Sequence, residues 1–239
     1  MPEEFLTVAT PLGYFGKLPC MGDFAVRRLP SAFVHPWDRW LDKALACSRE
    51  RLGDAWLDAY LAAPFWRFVL APGICGHEGW IGVLMPSVDR VERAFPLTVA
   101  RATEPGHGVF GLALGNDDWF RALEDAMLAA LDPASTLDRF DRQLLAAPEL
   151  VRSRHPADPS SGHLAYPAPG VDAGAWLPLL DALARDARHP LSCWVTTGST
   201  RTAPSLNWFA GLPPADGFAA LLVDHAAPTT IFSLEDISS

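Results

Sequence analysis

The chain has no basic run longer than the pair Arg27-Arg28, and the formal net charge of its 239 residues is −9. The electrostatic field of such a molecule repels a nucleic-acid backbone or an anionic membrane surface. The sequence also lacks any stretch of 18 or more apolar residues without a charge. Its opening, Met-Pro-Glu-Glu-Phe, has acids where a secretory signal carries lysines and arginines. We therefore expect a cytoplasmic protein that binds no nucleic acid and does not insert directly into a membrane.

Metal-binding and disulfide patterns are missing as well. The four cysteines, at positions 20, 47, 75 and 193, form no Cys-x-x-Cys pair, and the seven histidines are scattered. Cys75 and His77 are close in sequence, but a metal there would need ligands from elsewhere. We expect no metal and no cofactor, and cysteines that are buried apolar groups or free thiols.

What the chain does have is the composition of a globular protein, with 49% hydrophobic and 20% charged residues. Its length fits one domain, which we assign to residues 1–239. The 22 prolines and 18 glycines indicate many turns. Residues 146–171 carry five prolines and no periodicity, which predicts a long exposed loop, and residues 225–239 are typical of a loosely held tail.

Periodicity predicts alternating helices and strands. Helical spacing of apolar residues predicts helices over 36–53, 56–61, 116–131, 136–145, 173–187 and 214–222, with Pro36 as the first residue of the first helix and Asn116 as the cap of the third. Aromatic and β-branched runs predict strands over 65–70, 80–85, 95–101, 191–197 and 205–209, the first two as an antiparallel pair.

The stretch from Gly13 to Pro30 fits neither pattern. It combines three glycines, two prolines, three aromatic and four charged residues, so we expect an irregular loop held by tertiary contacts. Its Gly-x-x-Gly-Lys run lacks the spacing of a phosphate-binding loop. One interpretation is a structural loop in which Asp23 caps local backbone or pairs with an arginine; the other is a loop that docks a partner.

A second charged motif, Pro86 to Arg93, contains Ser87, Asp89 and Arg90. A hydrolase could use Ser87 and Asp89 as nucleophile and base, although no histidine lies nearby in sequence. The structural alternative is that Ser87 or Asp89 caps the following turn while an arginine pairs with Asp23 or Asp38. The third alternative is a docking surface of mixed charge. The Ser199-Thr200-Arg201 turn is a weaker candidate for anion binding.

Several motifs in order are similar to one known family. They are Gly-Tyr-Phe-Gly-Lys-Leu-Pro-x-x-Gly-Asp-Phe from Gly13, Arg27-Arg28-Leu-Pro, Pro-Trp-Asp-x-Trp-Leu from Pro36, Trp66-Arg-Phe, Gly82-Val-Leu-x-Pro-Ser-Val-Asp-Arg90, Phe95-Pro-Leu and Ser205-Leu-x-Trp. Together these motifs span nearly the whole chain and resemble the TagF family, also called ImpM, of type VI secretion system-associated proteins. The chain has Cys20-Met21 where the family is expected to have a small polar residue followed by a basic one.

The resemblance implies an α/β (α+β) fold, with a central mixed or largely antiparallel sheet sandwiched by helices. It also implies a non-catalytic cytoplasmic regulator that represses type VI secretion after translation. Such a regulator acts beside a threonine kinase and a phosphatase, and it binds an FHA-domain scaffold protein or an apparatus component. Some relatives are fused to a PppA-type phosphatase domain, for which this length leaves no room.

We accordingly expect partner binding through the two charged motifs. The candidate partner-binding residues are Lys17, Asp23, Arg27, Arg28, Ser87, Asp89 and Arg90. Two alternatives remain: an enzyme for hydrolysis or phosphoryl transfer that uses Ser87, Asp89 and Lys17, and a domain that senses a small ligand.

Overall fold

One seven-stranded sheet organises the computed structural model, which describes residues 10–151, 181, 184 and 188–223. The strands are β1 (Gly13–Gly16), β2 (Ala25–Arg27), β3 (Trp66–Leu70), β4 (Gly79–Met85), β5 (Leu97–Thr103), β6 (Leu191–Thr196) and β7 (Ser205–Ala210). The helices are α1 (Ser31–Leu52), α2 (Trp56–Leu61), α3 (Val109–Leu114), α4 (Asp117–Ala129), α5 (Leu137–Leu145) and α6 (Phe218–Leu222), with 3-10 turns at Gly53–Ala55 and Ala215–Gly217.

The strand order is β2-β1-β5-β4-β3-β6-β7, and all neighbouring strands are antiparallel. The predicted fold class, an α/β domain with a largely antiparallel sheet between helices, is confirmed. So is the pairing of β3 with β4, in which Phe68 lies opposite Gly82. β1 lies beside β5. The first charged motif, Gly13 to Pro30, therefore lies at one end of the strand order, and β7 lies at the other end.

Alternation along the central strands creates two cores, one on each face of the sheet. On β4, Ile81 and Val83 belong to the core under α3, α4 and α5, whereas Trp80 and Leu84 belong to the core under α1 and α6. All seven residues of β4 are buried, because both faces of the strand are covered.

The second core is built around tryptophans of α1. Trp37 is fully buried, stacks in parallel with Trp194 at 6.0 Å and donates from Nε1 to the Thr98 hydroxyl at 2.9 Å. Trp40 donates from Nε1 to the carbonyl of Pro213 at 2.7 Å. Each indole thus buries its apolar body and still satisfies its N–H.

The opening segment is not the irregular loop that the sequence predicts. Residues Gly13–Gly16 pair with both β2 and β5, so this stretch is a strand with two neighbours. Its glycines permit the close approach: a Cβ on Gly13 would lie 2.6 Å from the carbonyl oxygen of Arg27, and Gly16 has φ +139°. Tyr14 and Phe15 then bury on opposite faces of the sheet.

Two predicted helix starts are also corrected. Helix α1 begins at Ser31, five residues before Pro36, which lies inside the helix. Asn116 precedes α4, but its side chain does not cap that helix. Its Nδ2 donates instead to the carbonyl of Leu112, and its Oδ1 accepts from the amide of Val151. Those bonds tie the end of α3, which the sequence did not predict, to the segment after α5.

The structure describes some of the remaining predicted elements and leaves others outside the described residues. Helix α2 begins at Trp56 and ends before Pro64, as predicted, and β3 to β7 lie within two residues of their predicted bounds. The predicted loop over 146–171 is described only to residue 151, and the tail over 225–239 and most of the helix over 173–187 lie outside the described residues. No helix in the described part of the chain is long and apolar enough to cross a membrane.

We predict that Trp37→Ala lowers the free energy of unfolding by about 3 to 5 kcal/mol, because it removes a fully buried indole and leaves a cavity. Urea unfolding measures this loss. Leu57→Ala is the control: its side chain is 47% exposed on α2, so the change should stay within about 0.5 kcal/mol. Similar losses in the two variants would contradict the packing described for Trp37.

Candidate functional site

Asp89 is the centre of the candidate site. The residue is only 1% exposed. Its Oδ2 accepts from Arg93 Nε at 2.6 Å and lies 3.2 Å from Lys17 Nζ. Its Oδ1 accepts from the backbone amides of Val91 and Arg93 at 3.0 and 2.9 Å. Four donors therefore compensate the carboxylate for the water it has lost.

Two opposing effects act on the pKa of Asp89. Burial raises it, but the hydrogen bonds from Arg93, Lys17 and Val91 outweigh burial, so the pKa lies well below the ordinary aspartate value. At neutral pH the carboxylate is ionised and both ion pairs are formed.

The hydroxyl, amide and carbonyl groups of Ser87 are all hydrogen-bonded. Its hydroxyl donates to the carbonyl of Lys17 at 2.7 Å, its amide donates to the Tyr60 hydroxyl, and its carbonyl accepts from that hydroxyl, both at 2.9 Å. Ser87 is 2% exposed. The Ser87 hydroxyl thus ties the second charged motif to the backbone of the first.

Backbone contacts fasten the two charged motifs to each other. The amide of Arg90 donates to the carbonyl of Met21, and Arg93 Nη2 donates to the carbonyl of Gly22, both at 2.8 Å. Gly22 leaves room for the Arg90 guanidinium, since a Cβ there would lie 3.1 Å from Nη2. Cys20 and Met21, which stand where the TagF family is expected to have a small polar residue and a basic one, are partly buried and pack against the first core.

Arg27 and Arg28 form a second ion cluster, with Asp141 of α5. Arg28 Nη2 donates to one carboxylate oxygen of Asp141, and Arg27 Nη2 lies 3.5 Å from the other. The hydrogen bond from Arg28 lowers the pKa of Asp141, against the opposing effect of burial. Arg28 also donates from Nε to the carbonyl of Leu12. Its backbone is left-handed, with φ 58°, and ends β2.

Around these clusters the two motifs display an exposed surface, which we call the loop face. It consists of Asp23, Phe24, Val26, Arg27, Arg90, Val91, Glu92 and Arg93. Phe24 anchors it, because its ring stacks on Phe15 at 5.5 Å and meets Phe95 edge-on at 4.8 Å. Val26 and Val91 are 54% and 63% exposed, so the face offers apolar area as well as charge.

The seven candidate residues therefore divide into three groups. Lys17, Ser87 and Asp89 are buried in the network, Arg28 is half-buried, and Asp23, Arg27 and Arg90 are exposed. Asp89 does cap the turn that follows it, as one alternative expected. Among the described residues, no ion pair joins an arginine to Asp23 or Asp38, the pairing that the same alternative expected. The arginines pair with Asp89 and Asp141, and the Asp23 carboxylate accepts from the amide of Phe24.

Sequence reasoning missed Tyr60 and Asp141. Asp141 lies 113 residues from Arg28, and no local pattern connects them. It also missed that Arg67, in the Trp-Arg-Phe motif, is 5% exposed and donates to Glu124 and Asp117 on α4 at 2.6 Å each. A single charged residue inside an apolar strand run is the signal that could have indicated such a buried ion pair.

A separate cavity of about 310 Å³ lies between β3, β6 and α3. Its lining includes Val69 and Leu112 together with the polar side chains of His107, Asp181 and Arg188. Asp181 is 2% exposed and accepts from the amides of Phe110 and Gly111 at the start of α3. Among the described residues, no group of three His, Cys, Asp or Glu side chains is placed to hold a metal ion.

Comparisons with known proteins identify relatives. Residues 13–147 match the family described as the TagF N-terminal domain, type VI secretion system-associated. No curated protein matches the chain. Among solved structures, the chain is similar to PA0076 from Pseudomonas aeruginosa PAO1, with 38% sequence identity and a TM-score of 0.75. That match covers 93% of this chain and 98% of PA0076. Both ion clusters and the loop face lie within the family-matched segment.

We predict that Asp89→Asn destabilises the protein at pH 7 and that the loss shrinks in acid. The pKa of Asp89 is lowered by folding, so its contribution is fully present above the ordinary aspartate pKa of about 4 and is lost as pH falls toward the folded value. Urea unfolding of the wild type and the variant at pH 7 and near pH 3 measures the loss of stability at each pH.

Glu92→Gln, a neighbouring exposed carboxylate, is the matched control and should change stability little at either pH. If Asp89→Asn lowered the free energy of unfolding equally at both pH values, the charge of the carboxylate would not be what joins the two charged motifs.

Proposed function

The chain belongs to the TagF family of type VI secretion system-associated proteins, and from that premise we propose that it is a non-catalytic cytoplasmic regulator that represses type VI secretion after translation. It acts by binding the FHA-domain scaffold protein of that system through the loop face. An apparatus component is the other partner of the same class, and the regulation runs alongside a threonine kinase and phosphatase pair.

The observation that carries this proposal is the way the loop face is held. Asp89 joins Lys17 to Arg93, and the backbone of Arg90 is bonded to Met21, so two distant segments form one preorganised surface. A surface that is already ordered loses little conformational entropy when a partner binds. Exposed arginines beside Phe24, Val26 and Val91 give the mixture of charge and apolar area found at interfaces.

Charge indicates the kind of partner surface. The loop face carries three guanidiniums and two carboxylates on a molecule whose formal net charge is −9. It is thus a locally cationic region of an acidic protein, which favours an acidic surface on the scaffold and helps to fix its orientation.

The burial of Lys17, Ser87 and Asp89 favours regulation by binding over catalysis. All three side chains satisfy one another and the backbone, which leaves none of them oriented toward a substrate. Turnover of a phosphoester or acyl substrate that Ser87→Ala abolished, in a folded protein, would overturn this part of the proposal.

The cavity beside α3 favours ligand sensing as a second candidate function. Its volume of about 310 Å³ is that of a small-molecule site, and its lining combines apolar side chains with Asp181 and Arg188. A ligand that binds only the folded chain would raise its unfolding temperature by mass action, which thermal unfolding measures directly.

We predict that Arg90→Glu and Arg27→Glu each weaken binding of the FHA-domain scaffold by at least about tenfold, because each replaces an exposed cation of the loop face by an anion. Titration calorimetry with the purified scaffold measures the affinity. Salt should weaken the wild-type complex as well, since the interaction is between charges at the surface.

Arg39→Glu is the control, because it makes the same charge change at an exposed position of α1 and should leave affinity nearly unchanged. Wild-type affinity in both loop-face variants would exclude this face as the docking site. Equal losses in all three variants would mean that net charge, not this surface, governs binding.

A further inference from the structure

The sheet has two edges, and they differ in kind. At one edge, β2 has three residues, carries Arg27 and ends at Arg28 with φ 58°. A short, charged edge that is broken by a left-handed residue resists pairing with another strand. At the other edge, β7 runs for six residues, Ser205–Ala210, with no charged residue and no proline. The devices that protect β2 are absent from β7.

The register shows which backbone groups of β7 face outward. The amide of Gly211 donates to the carbonyl of Pro190, so this opposed pair is hydrogen-bonded and the pattern alternates from there along the strand. Ser205, Asn207 and Phe209 therefore bond to β6. The N–H and C=O groups of Leu206, Trp208 and Ala210 point away from the sheet. No described residue pairs with those three donors and three acceptors.

Side chains on this edge are apolar and exposed. Leu206 is 38% exposed and Trp208 is 40% exposed, on the same face of the strand. Trp208 is anchored by an edge-on contact with Phe110 of α3 at 5.6 Å, so the large ring is held in place. Across residues 188–217 the only Asp, Glu, Lys or Arg residues are Arg188, Arg201 and Asp216, so the acidic charge of the molecule is not concentrated here.

We propose that β7 pairs with β7 of a second copy of this chain, which makes one continuous antiparallel sheet across a two-fold axis. This inference does not depend on the proposed function. β7 can pair with β7 of another copy because two identical strands in antiparallel pairing present matching hydrogen-bond donors and acceptors. Its lack of charge also removes the like-charge repulsion that opposes self-association.

The outward groups restrict the geometry of the pair. Trp208 lies opposite its own copy on the axis, and Leu206 of one copy lies opposite Ala210 of the other. Both apolar stripes then fall on the same face of the joined sheet. A single strand pair buries less than the roughly 1,600 Å² of a standard interface, so we expect a dissociation constant between about 1 and 100 μM.

Analytical ultracentrifugation from about 1 to 300 μM tests the pair, with the mass rising from 25.9 kDa toward twice that value. Trp208→Lys should abolish the rise, because it places two lysines opposite each other. Leu206→Lys, which keeps the contact between Trp208 and Phe110, should weaken the pair at least about tenfold. Val26→Lys, at a 54% exposed position of the opposite edge, is the matched control and should dimerise normally.

Amide hydrogen exchange gives a second readout that is specific to residues. In the dimer, the amides of Leu206, Trp208 and Ala210 should exchange at least about tenfold more slowly in concentrated than in dilute solution. The amides of Asn207 and Phe209, already bonded to β6, should not change.

Three outcomes would overturn the proposal. A chain that stays monomeric at the highest concentration would exclude the pair. A dimer that both lysine variants retain would use another face. Protection of the three outward amides in a monomer would mean that the chain itself covers the edge.

Discussion

The buried carboxylate of Asp89 is the constraint on which the charged end of the molecule depends. A charge in the interior is tolerated only when donors replace its water, and here Lys17 and Arg93 supply them from two segments that are far apart in sequence. Once used in this way, Lys17 cannot reach a partner. The same network positions the neighbouring side chain of Arg90, which remains exposed. The backbone hydrogen bond from Arg90 to Met21 fixes the segment from Pro86 to Arg93 against the segment from Gly13 to Pro30. Within one motif, therefore, some charges hold the surface and others are displayed on it.

Ion pairs also hold two of the helices that pack on the first core, α4 and α5. Arg67 on β3 binds Glu124 and Asp117, which fixes α4, and Arg28 binds Asp141, which fixes α5. Hydrophobic burial is not directional, so on its own it specifies the positions of these helices less sharply. An arginine that donates to two carboxylates, or a carboxylate that accepts from two arginines, has a preferred geometry. The ion pairs thus give the helices their register, whereas the apolar contacts supply most of the free energy of packing.

Hydrophobic periodicity predicted the helices and strands that are determined by residues close together in sequence. Helix α2 and strands β3 and β4 follow from the spacing of the apolar residues that they bury. The failures have a common physical cause, which is that the deciding contact lies far away in sequence. Gly13–Gly16 is a strand only because β2 and β5 lie on either side of it, and its glycines concealed that pattern. Asn116 is an ideal cap by residue type, yet a contact with Val151 takes its side chain. For the candidate site, the sequence motifs indicated Asp89 and Arg90. They did not indicate that Tyr60 holds Ser87 or that Asp141 holds Arg28, because no spacing rule connects these partners.

The strand order also sets how the loop face and the open edge relate. The loop face lies at the β2 end and the open edge is β7, six strand intervals away, or about 29 Å at the usual spacing. Pairing through β7 would therefore leave both loop faces uncovered, at opposite ends of a sheet of fourteen strands and roughly 60 Å apart before twist is counted. Two identical faces held at a fixed separation bind a multivalent target far more tightly than either face alone, but only where the target presents sites at a matching distance.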